Sequence, residues 1–328
     1  MKRILNTLLV VILMISCTTG DKSEVKSDVE PVKWQEVLTS KVDSINSDIV
    51  PGKLTMDVGI YFPSNFDDAF NKVTMDNMIE SFVAAKEIFK PTDVQINLLW
   101  IKQGEIDPKF LAIQANKVPG IPTTGYANMY EHSYRNPAEL TEQTKQAFEH
   151  IVEETEDSDR TIYLVALQDV FYPFLTVAEG RNWMMQTVRT GGLSFPSYSY
   201  PGTIPKPYRG VITISNLARP DRFRRTVAHE IGHKVMNVSH EYRETSPQHE
   251  VYADGGLMLY GNGEEIPSGE EGRWHLERLK ISPYLYELGE NGSKKWNADY
   301  KENGHYYDPI YGDYVIHFEG VSPIDEDW

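Results

Sequence analysis

The sequence predicts an α+β fold, in which strands and helices follow one another in mixed order. Apolar side chains alternate along residues 54–62, which is the period of a half-buried strand. Residues 67–90 instead repeat apolar side chains at near-helical spacing, and Pro91 ends that pattern. A short apolar strand at residues 211–214 then leads into a second helical segment at 219–236. A strand, a long helix, several strands and a second helix are the order expected of the α+β class.

The remaining elements follow from the same local rules. Apolar, β-branched runs at residues 94–101 and 161–167 predict two further strands, and a charged segment at 138–154 predicts a helix between them. Residues 191–207 are rich in Pro, Ser, Tyr and Gly, so we expect a surface loop there. A C-terminal helix is expected near residues 270–280.

The composition excludes several classes of protein. The 328 residues are 40% apolar, which is enough for a large packed core and too much for a disordered chain. Acidic residues outnumber Lys and Arg by 48 to 32, so the formal charge is −16 and a nucleic-acid partner is not expected. The single Cys, Cys17, excludes an internal disulfide and a Cys-rich zinc cluster.

The first 16 residues have the features of a secretory signal peptide. A basic start precedes an apolar run at residues 8–15, which is too short to span a bilayer. The run ends at a small residue and Cys17, a pattern that resembles the lipobox of bacterial lipoproteins. The resemblance implies export, a lipid on Cys17 that anchors the protein to the bacterial membrane or cell surface, and a polar tether over residues 17–35. The alternative is an ordinary signal peptide with an incidental Cys.

A second pattern carries chemistry. His229, Glu230 and His233 form an H-E-x-x-H sequence inside the predicted helix of residues 219–236. Because four residues make slightly more than one helical turn, His229 and His233 project to the same side and can bind one Zn²⁺. Glu230 then lies beside the metal, where a carboxylate can take a proton from a water whose pKa the zinc ion lowers. The pattern indicates zinc-dependent hydrolysis with Glu230 as general base.

The sequence around this motif resembles the metzincin metallopeptidases, which are zincins. Residues 229–240 are similar to their zinc signature, H-E-x-x-H-x-x-G-x-x-H, and residues 257–260 are similar to their Met-turn. The resemblance implies a twisted mixed β-sheet, a backing helix, an active-site helix and a C-terminal helical subdomain. It also implies His240 as the third zinc ligand, Met258 as a hydrophobic floor beneath the histidines, and Tyr260 as a stabiliser of the transition-state oxyanion.

The chain departs from the metzincin signature at one position. Met236 stands where the family has Gly, and His240 comes one residue later than the signature requires. Asn237 follows Met236, and Asn tolerates left-handed backbone angles better than most residues. We therefore predict that Asn237 makes the turn that Gly makes in the family, one residue late.

A rival resemblance offers another third ligand. Residues 250–254 are similar to the E-x-x-A-D segment of gluzincins, in which the Glu binds zinc, and this would make Glu250 a ligand. A zinc site with two imidazole ligands can be completed by a carboxylate as well as by a third imidazole. Pro247 and the Gly pair at 255–256 leave little room for the helix that carries this Glu in gluzincins. The helix-breaking residues favour His240, and Glu250 stays as the alternative.

Together these patterns predict an exported, lipid-anchored zinc metallopeptidase that acts on protein or peptide substrates. We expect a zincin-like catalytic domain over residues 36–290 and a C-terminal extension packed on it over residues 291–328. Two alternatives use the same residues. One is a surface binding lipoprotein that keeps the zincin frame without hydrolysis, and the other is a zinc amidase that acts on cell-wall crosslinks.

Overall fold

The structure, a computed structural model, describes twelve ranges of the chain. They are residues 31–66, 73–117, 138–177, 183–197, 200, 204–215, 220–238, 256–258, 263–268, 275–298, 305–308 and 312–315. The signal peptide, Cys17, His240, Glu250 and Tyr260 lie outside these ranges. Within them, no helix has both the length and the apolar character needed to cross a membrane.

The elements of the described chain are numbered in order. The strands are β1 (Gln35–Glu36), β2 (Leu54–Pro63), β3 (Val94–Gly104), β4 (Ala112–Gln114), β5 (Ile162–Leu167), β6 (Asp169–Val177), β7 (Trp183–Thr190), β8 (Gly192–Ser194), β9 (Val211–Ser215), β10 (Leu285–Leu288), β11 (Lys294–Trp296), β12 (His305–Asp308) and β13 (Gly312–Val315). The α-helices are α1 (Thr39–Ile45), α2 (Met75–Phe89), α3 (Glu142–Ile151), α4 (Pro220–Met236) and α5 (His275–Lys280).

A mixed, twisted sheet forms the centre of the fold. Its strands lie in the order β1-β3-β2-β5-β9-β8. The four inner strands are parallel, whereas β1 and β8 are antiparallel to their neighbours at the two ends. Strand β10 pairs antiparallel with the first residues of β2, and β11 continues it as a hairpin. The predicted α+β class is confirmed, as are the strands expected at residues 54–62, 94–101, 161–167 and 211–214.

Two smaller sheets accompany the central one. Strands β6 and β7 form a long hairpin, and β4 pairs parallel with the first residues of β6. Strands β12 and β13 form a separate antiparallel pair. The β6–β7 hairpin leads directly into the edge strand β8, so it lies close in sequence to the edge of the central sheet.

Three sequence predictions are corrected by the structure. The loop expected at residues 191–207 contains strand β8, which is too short for an alternating pattern to show in the sequence. The helix expected from residue 67 begins at Met75, because Thr74 is extended and its side chain accepts a hydrogen bond from the Asn77 backbone N–H. The helix expected at 138–154 is shorter because Thr141 caps α3 in the same way.

The central strands are buried on both faces, and each face has its own hydrophobic cluster. On one face, Met56, Val58 and Ile60 of β2 pack with apolar residues of α2 and α4. On the other face, Tyr61 of β2 packs with apolar residues of β5 and α3. Helix α2 contacts α4, and α4 also contacts the edge strand β8. This packing fixes α4 against one face of the sheet, next to its edge.

Candidate metal centre and its carboxylate

Helix α4 carries the residues of the H-E-x-x-H pattern. Its apolar side chains, among them Val227 and Ile231, are fully buried in the cluster against the sheet and anchor the helix by that face. His229, Glu230 and His233 are buried as well, each with 6–8% of its surface exposed. Buried polar side chains need partners, so the contacts of these three residues define the site.

The two histidine rings meet at their Nε2 atoms. The Nε2 atoms of His229 and His233 are 3.2 Å apart, and the rings are nearly perpendicular, with an interplanar angle of 79°. The His229 Nδ1 donates to the Leu257 carbonyl at 2.7 Å, and the His233 Nδ1 donates to the Val238 carbonyl at 2.8 Å. A carbonyl only accepts, so each Nδ1 carries the ring proton and each neutral ring presents a lone pair at Nε2.

Electrostatics keep both rings neutral. Burial lowers the pKa of His229 well below its ordinary value, and the neighbouring His233 and Arg225 lower it further. Burial likewise lowers the pKa of His233 to about 4. At neutral pH both imidazoles are therefore in the form that binds metals.

The separation of the two Nε2 atoms fits a single tetrahedral ion. Zn–N bonds of about 2.0–2.1 Å at a tetrahedral angle place two nitrogens about 3.3 Å apart, and the observed separation is 3.2 Å. Imidazole nitrogens are also ligands that Zn²⁺ prefers. Within the part of the chain that the structure describes, no group of three His, Cys, Asp or Glu residues forms around a common point. The two predicted third ligands, His240 and Glu250, lie outside that part.

The end of α4 shows how the chain turns at the departure from the metzincin signature. Helix α4 ends at Met236, and Asn237 has a φ of 53°, which is the left-handed conformation. The prediction that Asn237 makes this turn is confirmed. The turn brings the Val238 carbonyl back to His233, so it also sets the orientation of that ring.

Glu230 projects toward the edge strand β8. A Cβ atom added at Gly192 would lie 2.6 Å from Glu230 Oε1 and 2.8 Å from its Cγ, so a larger residue there would force this side chain or β8 to move. Burial raises the pKa of Glu230 to about 8, and a hydrogen bond from the Ser194 backbone N–H opposes that rise. A buried carboxyl with one backbone donor can hold or release a proton near neutral pH.

The register of β8 explains why the Ser194 N–H reaches Glu230. The Ser215 N–H of β9 donates to the Gly191 carbonyl at 2.9 Å, which places residue 191 in a hydrogen-bonded pair. Successive residues of a strand point their backbone groups to opposite edges, so Gly192 and Ser194 point theirs away from β9. The outer edge of β8 therefore faces Glu230.

The segment around Met258 lies against α4 between the two histidines. A Cβ atom added at Gly232 would lie 2.6 Å from Met258 Sδ, and Met258 is fully buried. Arg225 holds the same segment, because its Nε donates to the Gly263 carbonyl at 2.6 Å and its Nη2 donates to the Leu257 carbonyl. Since that carbonyl also accepts from His229, Arg225 helps to fix the ring of His229.

Several residues near the site escaped the sequence analysis. Besides Arg225 and Gly192, they include Lys234, which is 1% exposed and donates to two backbone carbonyls, and Tyr172 of β6. Burial raises the pKa of Tyr172, and the charge of Glu230 raises it further, so the phenol and the carboxylate interact. The helical spacing gave a signal for Arg225 and Lys234, because they lie four residues from His229 and Glu230 respectively. Gly192 and Tyr172 are distant in sequence and gave none.

The fold and this site define a mixed α+β protein with a buried pair of metal-competent histidines and an adjoining carboxyl group. No protein-family model matches the chain, and none of the curated proteins searched matches it. The contacts of α4 with β8 and with the segment around Met258 are therefore the features that indicate a function.

Proposed function

We propose that this chain is a zinc-dependent metallopeptidase of the metzincin type, with His229 and His233 as two of its zinc ligands. The observation that carries the proposal is the pair of buried Nε2 atoms, 3.2 Å apart, with Glu230 on the same helical turn. Two imidazole lone pairs this close repel each other, and a shared cation replaces that repulsion with two bonds. The mixed sheet with a helix packed against its edge is compatible with a zincin fold.

The ligands are oriented by the protein itself. The Leu257 and Val238 carbonyls fix the proton of each ring on Nδ1, which leaves Nε2 as the metal-binding atom. Burial lowers the pKa of both rings, so protons do not compete with the metal at neutral pH. These contacts support a site that binds zinc without rearrangement of the two rings.

Glu230 is proposed as the general base. When bound, Zn²⁺ supplies a Lewis acid that polarises the peptide carbonyl and lowers the pKa of the attacking water. Glu230 accepts a proton from that water and then gives it to the leaving amine. Burial raises the pKa of Glu230 in the metal-free chain, and a bound cation would favour its ionised form, which is the form that accepts the proton. Tyr260 is proposed, from the resemblance to metzincins, to donate a hydrogen bond to the oxyanion.

The test of this function is the substitution Glu230→Gln. We expect the zinc-loaded wild-type protein to cleave peptides from a mixed library in a chelator-sensitive way. The variant should keep stoichiometric zinc and lose hydrolysis by a factor of about 10³ or more, because the amide cannot accept the proton. Glu287→Gln in β10 is the matched control, since Glu287 is exposed and forms an ion pair with Lys295 at 3.4 Å. Hydrolysis that persists in Glu230→Gln discards the mechanism.

The third ligand is proposed to be His240, with Glu250 as the alternative. The left-handed turn at Asn237 supports His240, because it redirects the chain directly after α4 as the family's Gly does. Zinc content separates the two. His240→Ala should lose tightly bound zinc while Glu250→Ala keeps it, and the reverse result would make the site a gluzincin one.

Two other functions correspond to defined outcomes of the same assays. A wild-type protein that binds zinc and cleaves no peptide would be a zincin-like surface binding protein. Cleavage confined to the peptide crosslinks of the cell wall would indicate an amidase. The intact Glu230, directly after His229 in the H-E-x-x-H pattern, favours hydrolysis over binding alone.

Export and lipid anchoring are proposed as well. The signal-like segment and Cys17 would place the catalytic domain outside the cytoplasm, tethered through residues 17–35. Incorporation of a labelled lipid should require Cys17, so labelling that persists in Cys17→Ala would exclude the anchor.

A further inference from the structure

Lys234 is a buried charged residue on the helix of the site that the proposed chemistry does not use. It is 1% exposed, and its Nζ donates to the Phe195 carbonyl at 2.7 Å and to the Arg209 carbonyl at 2.6 Å. A lysine is almost never fully buried without such partners, because the amino group must give up its hydration. On α4 it lies four residues after Glu230, so both side chains leave the helix on the same side.

The two acceptors of Lys234 mark the two ends of one segment. Phe195 directly follows Ser194, the last residue of β8, and Arg209 lies two residues before β9. A single amino group therefore joins α4 to both ends of the segment that links β8 to β9.

The end near Phe195 is the one that bears on Glu230. Strand β8 is only three residues long, and Ser194, which precedes Phe195, holds the Glu230 carboxylate through its N–H. The Arg209 carbonyl also accepts from the Tyr284 hydroxyl at 3.2 Å, so it keeps a donor if Lys234 is removed. Removal of Lys234 should therefore leave the Phe195 carbonyl without this donor and loosen mainly the strand that precedes Phe195.

We propose that Lys234 is a positioning residue for Glu230. It fixes the edge strand β8 against α4, so that the Ser194 N–H and the backbone at Gly192 hold the carboxylate in one orientation. Its catalytic consequence rests on the proposed function, whereas its effect on β8 does not. The position of Glu230 matters for the rate because a displacement of a catalytic group by about 1 Å can lower the rate about 10²-fold.

The chain offers a matched control in Lys86 of α2. Its side chain is 8% exposed, and its Nζ also donates to a backbone carbonyl, that of Ile45, and to Asp48. Lys86→Met and Lys234→Met therefore each remove a largely buried amino group that ties a helix to a neighbouring segment. Only Lys234 lies next to β8.

The first test measures amide hydrogen exchange at Ser194 by NMR on the full chain. We expect Ser194 to exchange about tenfold faster or more in Lys234→Met, and also in Glu230→Ala, which removes its acceptor. Lys86→Met should leave this amide unchanged. Exchange at Ser194 that is unaltered in folded Lys234→Met overturns the proposal.

The second test is kinetic and uses the zinc-loaded protein. Lys234→Met should lower kcat about 10-fold to 10²-fold while KM and zinc content stay within about twofold, because substrate and metal contacts are intact. Lys86→Met should change none of these quantities, and an unchanged kcat in Lys234→Met overturns the proposal. If Lys234→Met does not fold, Lys234→Gln replaces it, since the shorter amide still donates and should give a smaller increase in exchange. A wild-type protein that hydrolyses nothing refutes the proposed function, and the exchange test still decides the role of Lys234.

Discussion

Two buried carboxyl groups, Asp57 and Glu230, lie in opposite kinds of environment. Asp57 of β2 is fully buried, and one of its oxygens accepts from the Asn97 amide and from the Tyr286 hydroxyl, both at 2.8 Å. Its other oxygen forms an ion pair with Lys294, whose Nζ lies 2.8 Å away. Asp57 thus has neutral donors on one oxygen and a cation at the other.

Glu230 has no such shell of donors around it among the described residues. The Ser194 N–H donates to it, while the neighbouring Lys234 gives its hydrogens to backbone carbonyls instead. Burial therefore raises the pKa of Glu230 to about 8. Asp57 is held by two neutral donors and a cation, whereas burial dominates the environment of Glu230 and raises its pKa.

The position of each group in the sheet agrees with this division. Asp57 lies in the first half of β2, next to the residues where β10 pairs with that strand. Lys294 of β11 reaches Asp57 and also Asp157, so this centre ties the β10–β11 hairpin to the sheet. Glu230 lies beside β8, which pairs with the last residues of β9. The Asp57 group thus joins elements of the fold, whereas Glu230 faces the edge of the central sheet.

The largest expected effect comes from breaking the Asp57 centre with Lys294→Met. The substitution leaves the Asp57 carboxylate buried without its cation, and we expect a loss of about 3 kcal/mol in the free energy of unfolding. Denaturant midpoints measure the loss. Hydrolysis per folded molecule should be unchanged, because Lys294 does not touch the site on α4.

Lys295→Met is the control for that prediction. Lys295 is the next residue, its side chain is 85% exposed, and it pairs with Glu287 at 3.4 Å. An exposed pair of this kind contributes less than about 1 kcal/mol. Equal stability losses in the two variants would show that Asp57 does not depend on Lys294, and the contrast with Glu230 would disappear.

The sequence predicted the inner strands and the helix of the site because both have local causes. The alternation of Met56, Val58 and Ile60 is visible in any window of the chain, and so is the four-residue spacing of His229 and His233. The turn at Asn237 was also predictable, because few residues tolerate a positive φ. Each of these features depends on neighbours within a few residues.

The rest of the site depends on contacts between distant segments. Gly192 lies 38 residues from Glu230, and a three-residue strand has no period by which to recognise it. The acceptors of Lys234 are backbone carbonyls, which carry no sequence signal at all. The sequence also predicted that α2 begins too early. The reason is that helical spacing of apolar residues continues upstream of Thr74, the residue that caps the helix.

A smaller effect on stability, with a large effect on rate, is expected from Gly192→Ala. The added Cβ would lie 2.6 Å from Glu230 Oε1, so the carboxylate or β8 must move. We expect a loss of about 1–2 kcal/mol in stability and a fall of about 10²-fold in kcat with zinc content unchanged.

Gly292→Ala serves as the control for Gly192. Gly292 has a φ of 77° in the β10–β11 hairpin, and nothing lies within 4 Å of a Cβ added there. The strain of that backbone should cost a similar free energy, about 1 kcal/mol, and leave kcat unchanged. A normal kcat in Gly192→Ala would mean that the carboxylate does not need its place under β8.

The smallest effect is a pH dependence of stability in the zinc-free protein, and it tests whether burial of Glu230 outweighs the nearby charges of Arg225 and Lys234. Glu230 has a pKa of about 8 in the folded state and about 4.5 unfolded, so between these values the folded protein holds one proton more. The free energy of unfolding must then fall as pH rises. Below pH 6.5 the lowered pKa values of the two histidines act in the opposite direction, which leaves pH 6.5–8 as the window.

Burial also lowers the pKa of Lys234, and because this residue is present in both proteins, the difference between wild type and Glu230→Gln reports on the carboxyl group. We expect the wild-type protein to lose about 1.5 kcal/mol relative to the variant between pH 6.5 and pH 8. Denaturant midpoints measured with chelator present, at half-unit steps of pH, give the two curves. Parallel curves would mean that Glu230 is as well compensated as Asp57, and a proton-exchanging role would then lose its electrostatic basis.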